Sequence, residues 1–348
     1  MDQEIRLTRF SHGGGCGCKI APAVLAEMLG RMPAGVVPPE LLVGTDNADD
    51  AAVYRLNERQ AVVATTDFFT PIVDDPFDFG RIAATNALSD VYAMGARPIM
   101  ALAVVGMPLD KLPPEVIGRI LEGGASVCRE AGIPVAGGHS IDVLEPIYGL
   151  VALGVVDPSQ VKTNAAARAG DVLILTKPLG VGVLSAGLKK GVLSEKDYAE
   201  MLRWTTCLNR VGEQLAGMVG VHAVTDVTGF GLGGHLLEVC RASALGAELD
   251  AASIPVIERA RVLADEGVAT GASTRNWTSY GASLTLPAVL PDTTRTLLTD
   301  PQTSGGLLIA CDPASVDEVL DRVRETQGNH AAVIGRMVEG EACVVVKA

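Results

Sequence analysis

Residues 65–103 read TTDFFTPIVDDPFDFGRIAATNALSDVYAMGARPIMALA. An apolar run beginning at Ala61 carries into Thr65, Thr66, Asp67 and Phe69 and predicts a strand over 61–69. From Asp78 to Met94 the apolar positions recur at helical spacing, with Asp78 as the expected cap and Gly95 as the stop. Ile99 to Val105 returns to a strand pattern.

Working outward, Leu41–Leu56 reads as another strand, Pro114–Ala131 as a helix opened by proline, and Ile147–Val155 as a strand. The polar, turn-rich segment DPSQVKTNAAARAGD, 157–171, marks a domain boundary. Beyond it, strand patterns are expected at Val172–Thr176, Ala223–Thr225, Ser283–Leu286, Gly306–Ala310 and Ala342–Val346. Helical patterns are expected at Glu195–Met218, Leu232–Ala242, Ile257–Glu266 and Ser315–Glu325. Strand signals adjoin without helices between them, and regular βαβ spacing is absent. The expected fold class is therefore α+β, with two α+β domains rather than a doubly wound sheet. The expected division is a flexible Gly-, Cys- and Lys-bearing segment at 1–40, an N-terminal domain at 41–157, and a C-terminal α+β domain at 158–348 with helices packed on its sheet.

A chain of 348 residues with 48% hydrophobic content can bury a large core. The start, MDQEIRLTRF, has no basic stretch followed by an apolar run, and no apolar run is long enough to span a bilayer. A cytoplasmic location and no membrane partner are expected. The seven cysteines, at 16, 18, 128, 207, 240, 311 and 343, do not form a disulfide framework, so reduced thiols are expected. The net charge of −13, from 28 basic against 41 acidic residues, argues against a nucleic-acid partner. An anionic ligand would need metal ions between itself and the protein.

Near the start stands SHGGGCGCKI, 11–20. It is not a phosphate loop of the G-x-x-x-x-G-K-[ST] type, because Cys18 precedes the lysine and Ile20 follows it. A closed zinc site would need four ligands; Cys16 and Cys18 have no second pair, and His12 is the only other soft ligand nearby. The glycines let the segment fold over a bound anion, Lys19 supplies a point charge, and a cationic neighbourhood is expected to lower the pKa of Cys16 toward thiolate. The alternative is a disordered tail with accidental cysteines.

Carboxylates provide the counterpart. Asp49 and Asp50 in ADDAAVY, Asp67 in TTDFF, Asp90 in ATNALSDVYAMG and Asp226 in VTDVTGFG are flanked by apolar or small residues. A buried carboxylate without a partner is costly, so these acids want a cation. On the expected helix, Asn86 and Asp90 are four apart and point at one place. Converging acids make a hard-oxygen site suited to magnesium bridging nucleotide phosphates, although any one of them alone could be a cap or turn residue.

Two glycine-rich stretches remain. GFGLGG, 229–234, matches G-x-G-x-x-G, and Asp250 follows at about the fingerprint's distance. However, Asp226, Val227 and Thr228 separate the expected strand from the first glycine, and Asp226 would repel a pyrophosphate, which argues against a nicotinamide cofactor. AGGHSID, 136–142, allows close backbone approach between a short strand and a polar turn, and His139 and Ser140 can donate to a phosphate or ribose; a lone histidine is otherwise a structural residue.

Taken together, SHGGGCGCKI, LLVG with DDAAVY, the stretch from Thr65 to Ala103, AGGHSID with EPIYGL, LTKPLGVGVL, TDVTGFGLGGHLLE and LTDPQTSGGLL resemble the selenophosphate synthetase (selenide, water dikinase) family over essentially the whole chain. TTDFF, TNALSD and TDVTGFG alone would indicate only the aminoimidazole-ribonucleotide-synthetase-like ATP-binding superfamily; GCGCK selects the family. The resemblance implies conversion of ATP, hydrogen selenide and water to selenophosphate, AMP and orthophosphate, supplying activated selenium for selenocysteine and selenouridine synthesis. It implies magnesium, several ions per site, with room for a monovalent cation. Matched to the family's motifs, Cys16 and Lys19 are catalytic, and Asp50, Asp90 and Asp226 hold metal. Lys19, Asn47, Ala48, Asp49, Asp67, Asp90, Gly138, His139 and Ser140 contact ATP, the last three reaching a neighbouring subunit's nucleotide. GTDNA, 44–48, departs from the pattern, so Asn47 and Ala48 match it less closely than Asp50 does. A homodimer paired through mixed N-terminal sheets is implied, and a protein selenium donor is a further partner. Two alternatives remain open: a small-molecule kinase or amidine-forming synthetase of the same superfamily, with no use for Cys16, and a non-enzymatic thiol carrier of metal or selenium.

Overall fold

The structure is a computed structural model and describes residues 5–31 and 35–348, without the side chains of residues 26 and 29. Thirteen strands form two sheets. The first contains β1 (Leu41–Val43), β2 (Ala52–Asn57), β3 (Gln60–Phe69), β4 (Arg97–Met107), β5 (Val135–Asp142) and β6 (Ile147–Val156), in the order β1-β2-β3-β6-β4-β5. All its neighbours are antiparallel except β4 and β5, so the sheet is mixed. The second contains β7 (Val172–Leu175), β8 (Val221–Asp226), β9 (Gly246–Asp250), β10 (Leu284–Thr285), β11 (Leu307–Cys311), β12 (Ala332–Val338) and β13 (Val344–Lys347), in the order β10-β13-β9-β12-β7-β11-β8.

Eleven α-helices accompany them: α1 (Pro22–Gly30), α2 (Pro76–Ala93), α3 (Pro114–Glu130), α4 (Val181–Lys189), α5 (Glu195–Thr205), α6 (Val211–Leu215), α7 (Gly231–Ser243), α8 (Glu258–Asp265), α9 (Gly271–Tyr280), α10 (Asp292–Leu298) and α11 (Val316–Gln327). The α+β expectation agrees with this architecture.

Helix α2 is the hub. Every residue from Ile82 to Ala93 is buried, because the helix packs on the first sheet and also meets the second half of the chain. A helix apolar or small on all sides belongs in an interior. It crosses α3 closely: a Cβ on Gly80 would run into the backbone oxygen of Ile120, and one on Gly123 into that of Phe77. The two glycines therefore set the spacing that lets α2 sink between the sheets.

Several boundaries differ from the sequence reading. The α2 cap is Asp75, whose Oδ1 accepts from Asp78 N at 2.8 Å, so Asp78 lies in the first turn; Gly95 does end the helix, at φ 74°. Leu41–Leu56 is two strands, β1 and β2, joined by the turn that presents Asp49 and Asp50. Glu195–Met218 breaks into α5 and α6, because Thr205 and Thr206 turn their hydroxyls back onto Met201 O and Leu202 O, and Asn209 reaches out to Ser89 Oγ (2.7 Å) and Gly305 O (2.9 Å). AGGHSID is not a turn: it lies within β5, an edge strand exposed along its whole length. Helices α1, α4, α9 and α10 and strands β9 and β12 were not anticipated.

The flexible segment expected at 1–40 has a docked conformation where it is described. Leu7 is buried, Asp74 receives Thr8 N, Thr8 Oγ1 and Arg6 Nε, and Gly15–Cys18 forms a single 3-10 turn. Among the described residues no helix is long and apolar enough to cross a membrane.

Candidate active site

Strand β3 and helix α2 place the first acids. Asp67, near the end of β3, accepts from Lys19 Nζ at 3.1 Å and from Asn86 Nδ2 at 2.7 Å. Asp90, one turn after Asn86, accepts from Thr65 Oγ1 at 2.6 Å. Asp50, in the turn before β2, accepts from Thr225 Oγ1 at 2.9 Å, which ties it to the last turn of β8 where Asp226 sits. Acids from both halves of the chain are therefore gathered at one place, each bonded to a neutral hydroxyl or amide.

Burial governs their ionisation. Burial pushes the Asp50, Asp90 and Asp226 carboxyls above the usual carboxylate range. For Asp50 and Asp90 the neighbouring acids push further in the same direction, while hydrogen bonds from Thr225 to Asp50, Thr65 to Asp90 and Ser89 to Asp226 oppose the shift. Asp50 Oδ2 and Asp226 Oδ2 are buried with no hydrogen-bond partner. Orphaned carboxylate oxygens repelling one another are the donor set a hard divalent cation would satisfy. Among the described residues, however, no three His, Cys, Asp or Glu side chains converge closely enough to hold an ion.

The glycine-rich segment closes over this cluster. Gly15 N donates to Thr70 O at 2.9 Å, Cys16 N to Thr303 Oγ1 at 3.0 Å, and Cys16 Sγ to Asn86 Oδ1 at 3.2 Å. Cys16 is 1% exposed. The expectation of a thiolate is corrected here: burial raises the thiol well above its ordinary value, Lys19 opposes that, and Asp67, Cys18 and Asp226 add to it. Lys19 behaves differently. Desolvation of its Nζ end would lower its ammonium pKa, but the neighbouring carboxylates, Asp67 first and then Asp90 and Asp226, raise it well above the ordinary value, so it stays cationic. Cys18 is half-buried on the other side of the turn, and among the described residues the Cys-x-Cys pair gathers no metal-ligand group.

Other expected contacts lie elsewhere. Asp49 Oδ1 accepts from Asn164 N at 2.6 Å and Ala48 O from Asn164 Nδ2 at 2.9 Å, while Asn47 O takes a longer bond of 3.4 Å from the same amide. This stretch joins the two halves of the chain. Gly138, His139 and Ser140 lie on β5, separated from β3 by β6 and β4. GFGLGG does open α7 after β8, but β8 pairs only with antiparallel β11, so the parallel unit of a dinucleotide fold is absent from this sheet.

Sequence reasoning missed the loop 299–306, quoted above in LTDPQTSGGLL without a role. Ser304, at φ 52°, donates its N–H to Asn86 Oδ1 at 2.7 Å and its hydroxyl to Ile82 O at 3.0 Å. Lys177, 1% exposed, donates to Ser304 O (2.9 Å) and Cys207 O (2.6 Å), and burial lowers its pKa to about 8. A non-glycine residue held at positive φ beside the site is the kind of strain that surrounding bonds must enforce.

The chain is similar to known proteins over most of its length. The sequence model for the AIR synthase related protein, N-terminal domain, matches residues 48–156, and that for the AIR synthase related protein, C-terminal domain, matches residues 168–347. The selenide, water dikinase of Paraburkholderia xenovorans (strain LB400) is 64% identical over 341 residues, covering 98% of this chain and 96% of that protein. The selenide, water dikinase of Pseudomonas straminea is 60% identical over 348 residues, covering 99% and 97%. The crystal structure of thiamine-monophosphate kinase from Stenotrophomonas maltophilia K279a superposes with a TM-score of 0.64 at 23% identity, covering 93% and 94%, a likeness of fold.

Proposed function

The chain belongs to the selenide, water dikinase family, built on the AIR-synthase-related fold, and on that premise we propose how its residues divide the reaction of ATP, selenide and water into selenophosphate, AMP and phosphate. The observation that carries the reading is the buried pair of unpartnered oxygens, Asp50 Oδ2 and Asp226 Oδ2, beneath a closed segment that brings Lys19 and Cys16 to the same place.

In this reading Asp50, Asp90 and Asp226 hold magnesium, several ions per site, and a monovalent cation can share the cluster. Bound there, the ions neutralise triphosphate charge and stabilise the developing charge of phosphoryl transfer. Residues 41–157 form the ATP- and metal-binding domain, 158–348 contribute Asp226 and the loop 299–306, and 1–40 supply the closing segment. Lys19 Nζ, held by Asp67, presents a fixed positive charge to the transferred phosphoryl group. Asp67 and Asn86 orient that ammonium. The glycines allow the segment to lie flat: a Cβ on Gly15 would strike Thr303 Oγ1, and one on Gly14 would come within 2.9 Å of Pro71 O. Closure excludes water during transfer to selenide, and reopening admits it for the second cleavage. Cys16 keeps a proton on Sγ while closed and contacts the selenium species as a polarisable sulfur, with no S–Se bond formed and no change of oxidation state.

The same reading includes a homodimer. Helices α2 and α3 pack on the first sheet, while Tyr54, Leu56 and Phe68 on β2 and β3 are exposed, leaving apolar surface to cover. In such a dimer Gly138, His139 and Ser140 would approach the nucleotide of the second copy, with Asn47, Ala48 and Asp49 contacting ATP from their own subunit. The seven cysteines are all free, which fits a reducing cytoplasm and leaves a thiol-bearing protein selenium donor as a partner class.

Phosphorus NMR of the protein with ATP, magnesium and hydrogen selenide tests the activity. Selenophosphate, AMP and orthophosphate in equal amounts are expected; ADP as the sole nucleotide product would overturn the reading.

A further inference from the structure

A cavity of about 680 Å³ lies between the glycine-rich segment, α4 and α9. Cys18 and Lys19 line it, but Cys16 does not. Its other basic residues are Lys189 and Lys190 at the end of α4, Arg275 on α9 and His12. Among the described residues no carboxylate lines it.

The partners of these groups set the cavity's charge. Lys19 is taken by Asp67 and His12 by Glu145. Lys189 and Arg275 have only main-chain acceptors, Gly13 O at 3.0 Å and Gly17 O at 2.9 Å, and among the described residues Lys190 has no hydrogen bond or ion pair. The acids whose charge reaches Lys189 are Asp74 and Glu145, and both are already bonded, to Arg6 and Thr8 and to His12. In a chain with 41 acids against 28 bases, leaving Lys189, Lys190 and Arg275 without a carboxylate around one concavity is a departure that calls for a cause. A helix C-terminus favours lysines and accounts for the two on α4. It does not account for Arg275, which sits mid-helix on α9 and points at the same space.

We propose that this cavity is a binding site for small inorganic anions, taking hydroselenide on its way in or orthophosphate on its way out. A positively charged concavity raises the local concentration of an anion that the acidic remainder of the surface repels. The proposal rests on the dikinase reading, whose substrate and product these anions are. It gives Lys189 and Arg275 a second acceptor besides Gly13 O and Gly17 O, so anion occupancy and closure of the segment compete for the same donors.

Lys190→Glu tests it, because among the described residues Lys190, unlike Lys189 and Arg275, makes no hydrogen bond or ion pair to the segment. The expected result is a rise of about fivefold or more, steepest at low salt, in either the KM for hydroselenide or the inhibition constant of orthophosphate, with kcat and the KM for ATP within about twofold of the unmodified chain. A change in the first identifies an entry port, and a change in the second an exit. Without ATP, selenium-77 and phosphorus-31 NMR titrations of hydroselenide and orthophosphate should show the same weakening in Lys190→Glu. If the unmodified chain forms no selenophosphate the activity reading fails, and these titrations still decide the site. Unchanged KM, unchanged inhibition and identical titrations would overturn it.

Discussion

Cys16 Sγ donates to Asn86 Oδ1 across 3.2 Å, and the other end of the same amide, Nδ2, donates to Asp67 Oδ2 at 2.7 Å. One side chain on α2 thereby connects the thiol of the closing segment to the carboxylate that holds Lys19, and its Oδ1 also anchors Ser304 N. Asn86→Ala leaves Cys16, Asp67 and Ser304 each short of a partner. The expected outcome is a loss of tenfold or more in kcat, with a drop in stability of about 1–3 kcal/mol for each buried group left unsatisfied. Steady-state kinetics and urea unfolding read the two effects separately; a fall in stability with kcat unchanged would leave Asn86 a purely structural residue.

Lys19→Ala removes the cation that bonds Asp67 in the acidic cluster. Turnover should fall by about a hundredfold or more, the scale of losing a preorganised transition-state charge. Lys19→Arg should not restore it, since a planar fork cannot replace a compact ammonium between Asp67 and a phosphate. Normal turnover in Lys19→Ala with only the KM for ATP raised would show that the lysine merely binds.

Cys16 and Cys18 should separate cleanly. Selenide-dependent AMP formation is expected to collapse in Cys16→Ser and to stay near the unmodified rate in Cys18→Ser; equal, near-normal activity in both would remove the thiol from the mechanism. Because burial keeps Cys16 protonated, its alkylation in Cys18→Ser should be slow at neutral pH and should accelerate only above the ordinary thiol range or when the segment opens.

Asp226→Asn should raise the magnesium concentration needed for half-maximal activity and also raise the melting temperature of the metal-free protein. The second effect follows because the substitution removes a buried, unpartnered carboxylate oxygen from a group of like charges. An unchanged magnesium titration would take Asp226 off the ligand set.

Asp300, in the loop 299–306, offers a pH test. It is fully buried, with Oδ1 unpartnered, and burial raises its pKa to about 7 against hydrogen bonds from Gln302, Val183 and Gly182. An acid whose folded pKa lies above its unfolded one binds more protons when folded, so its contribution is most favourable in acid and declines as pH rises from about 4 to about 7, by up to about 1.4 kcal/mol per unit. Asp300→Asn, which can still accept through Oδ1, should flatten the pH dependence of urea unfolding across that window. An identical slope in the variant would contradict the assignment.

The hub of the fold was legible because α2 carries its own punctuation: an apolar strand run before it, small and apolar residues on every side, and Gly95 after it. The same local logic misled at 195–218, where the helical spacing is sound but Asn209 is drawn to Ser89 and Gly305, which only the folded chain supplies. Strands β9 and β12 escaped because their burial is set by neighbours distant in sequence. Within the site, Asp50, Asp67, Asp90 and Asp226 announced themselves as acids in apolar surroundings. Thr303, Ser304 and Lys177 did not, since a threonine, a serine and a lysine beside glycines look like ordinary turn residues until their partners are in place. The state of Cys16 was misjudged because a nearby lysine is visible in sequence and complete burial is not.

The closing segment is held mainly by single hydrogen bonds: Gly15 to Thr70, Cys16 to Thr303 and Asn86, Lys189 to Gly13, and Arg275 to Gly17. Each is worth about 1 kcal/mol net and is readily exchanged for water. A fastening of this kind comes undone stitch by stitch, so the dwell time of the covered state is a graded quantity. Substitutions at Arg275 or Thr303 could lengthen or shorten it in small steps while leaving the reacting groups as they are.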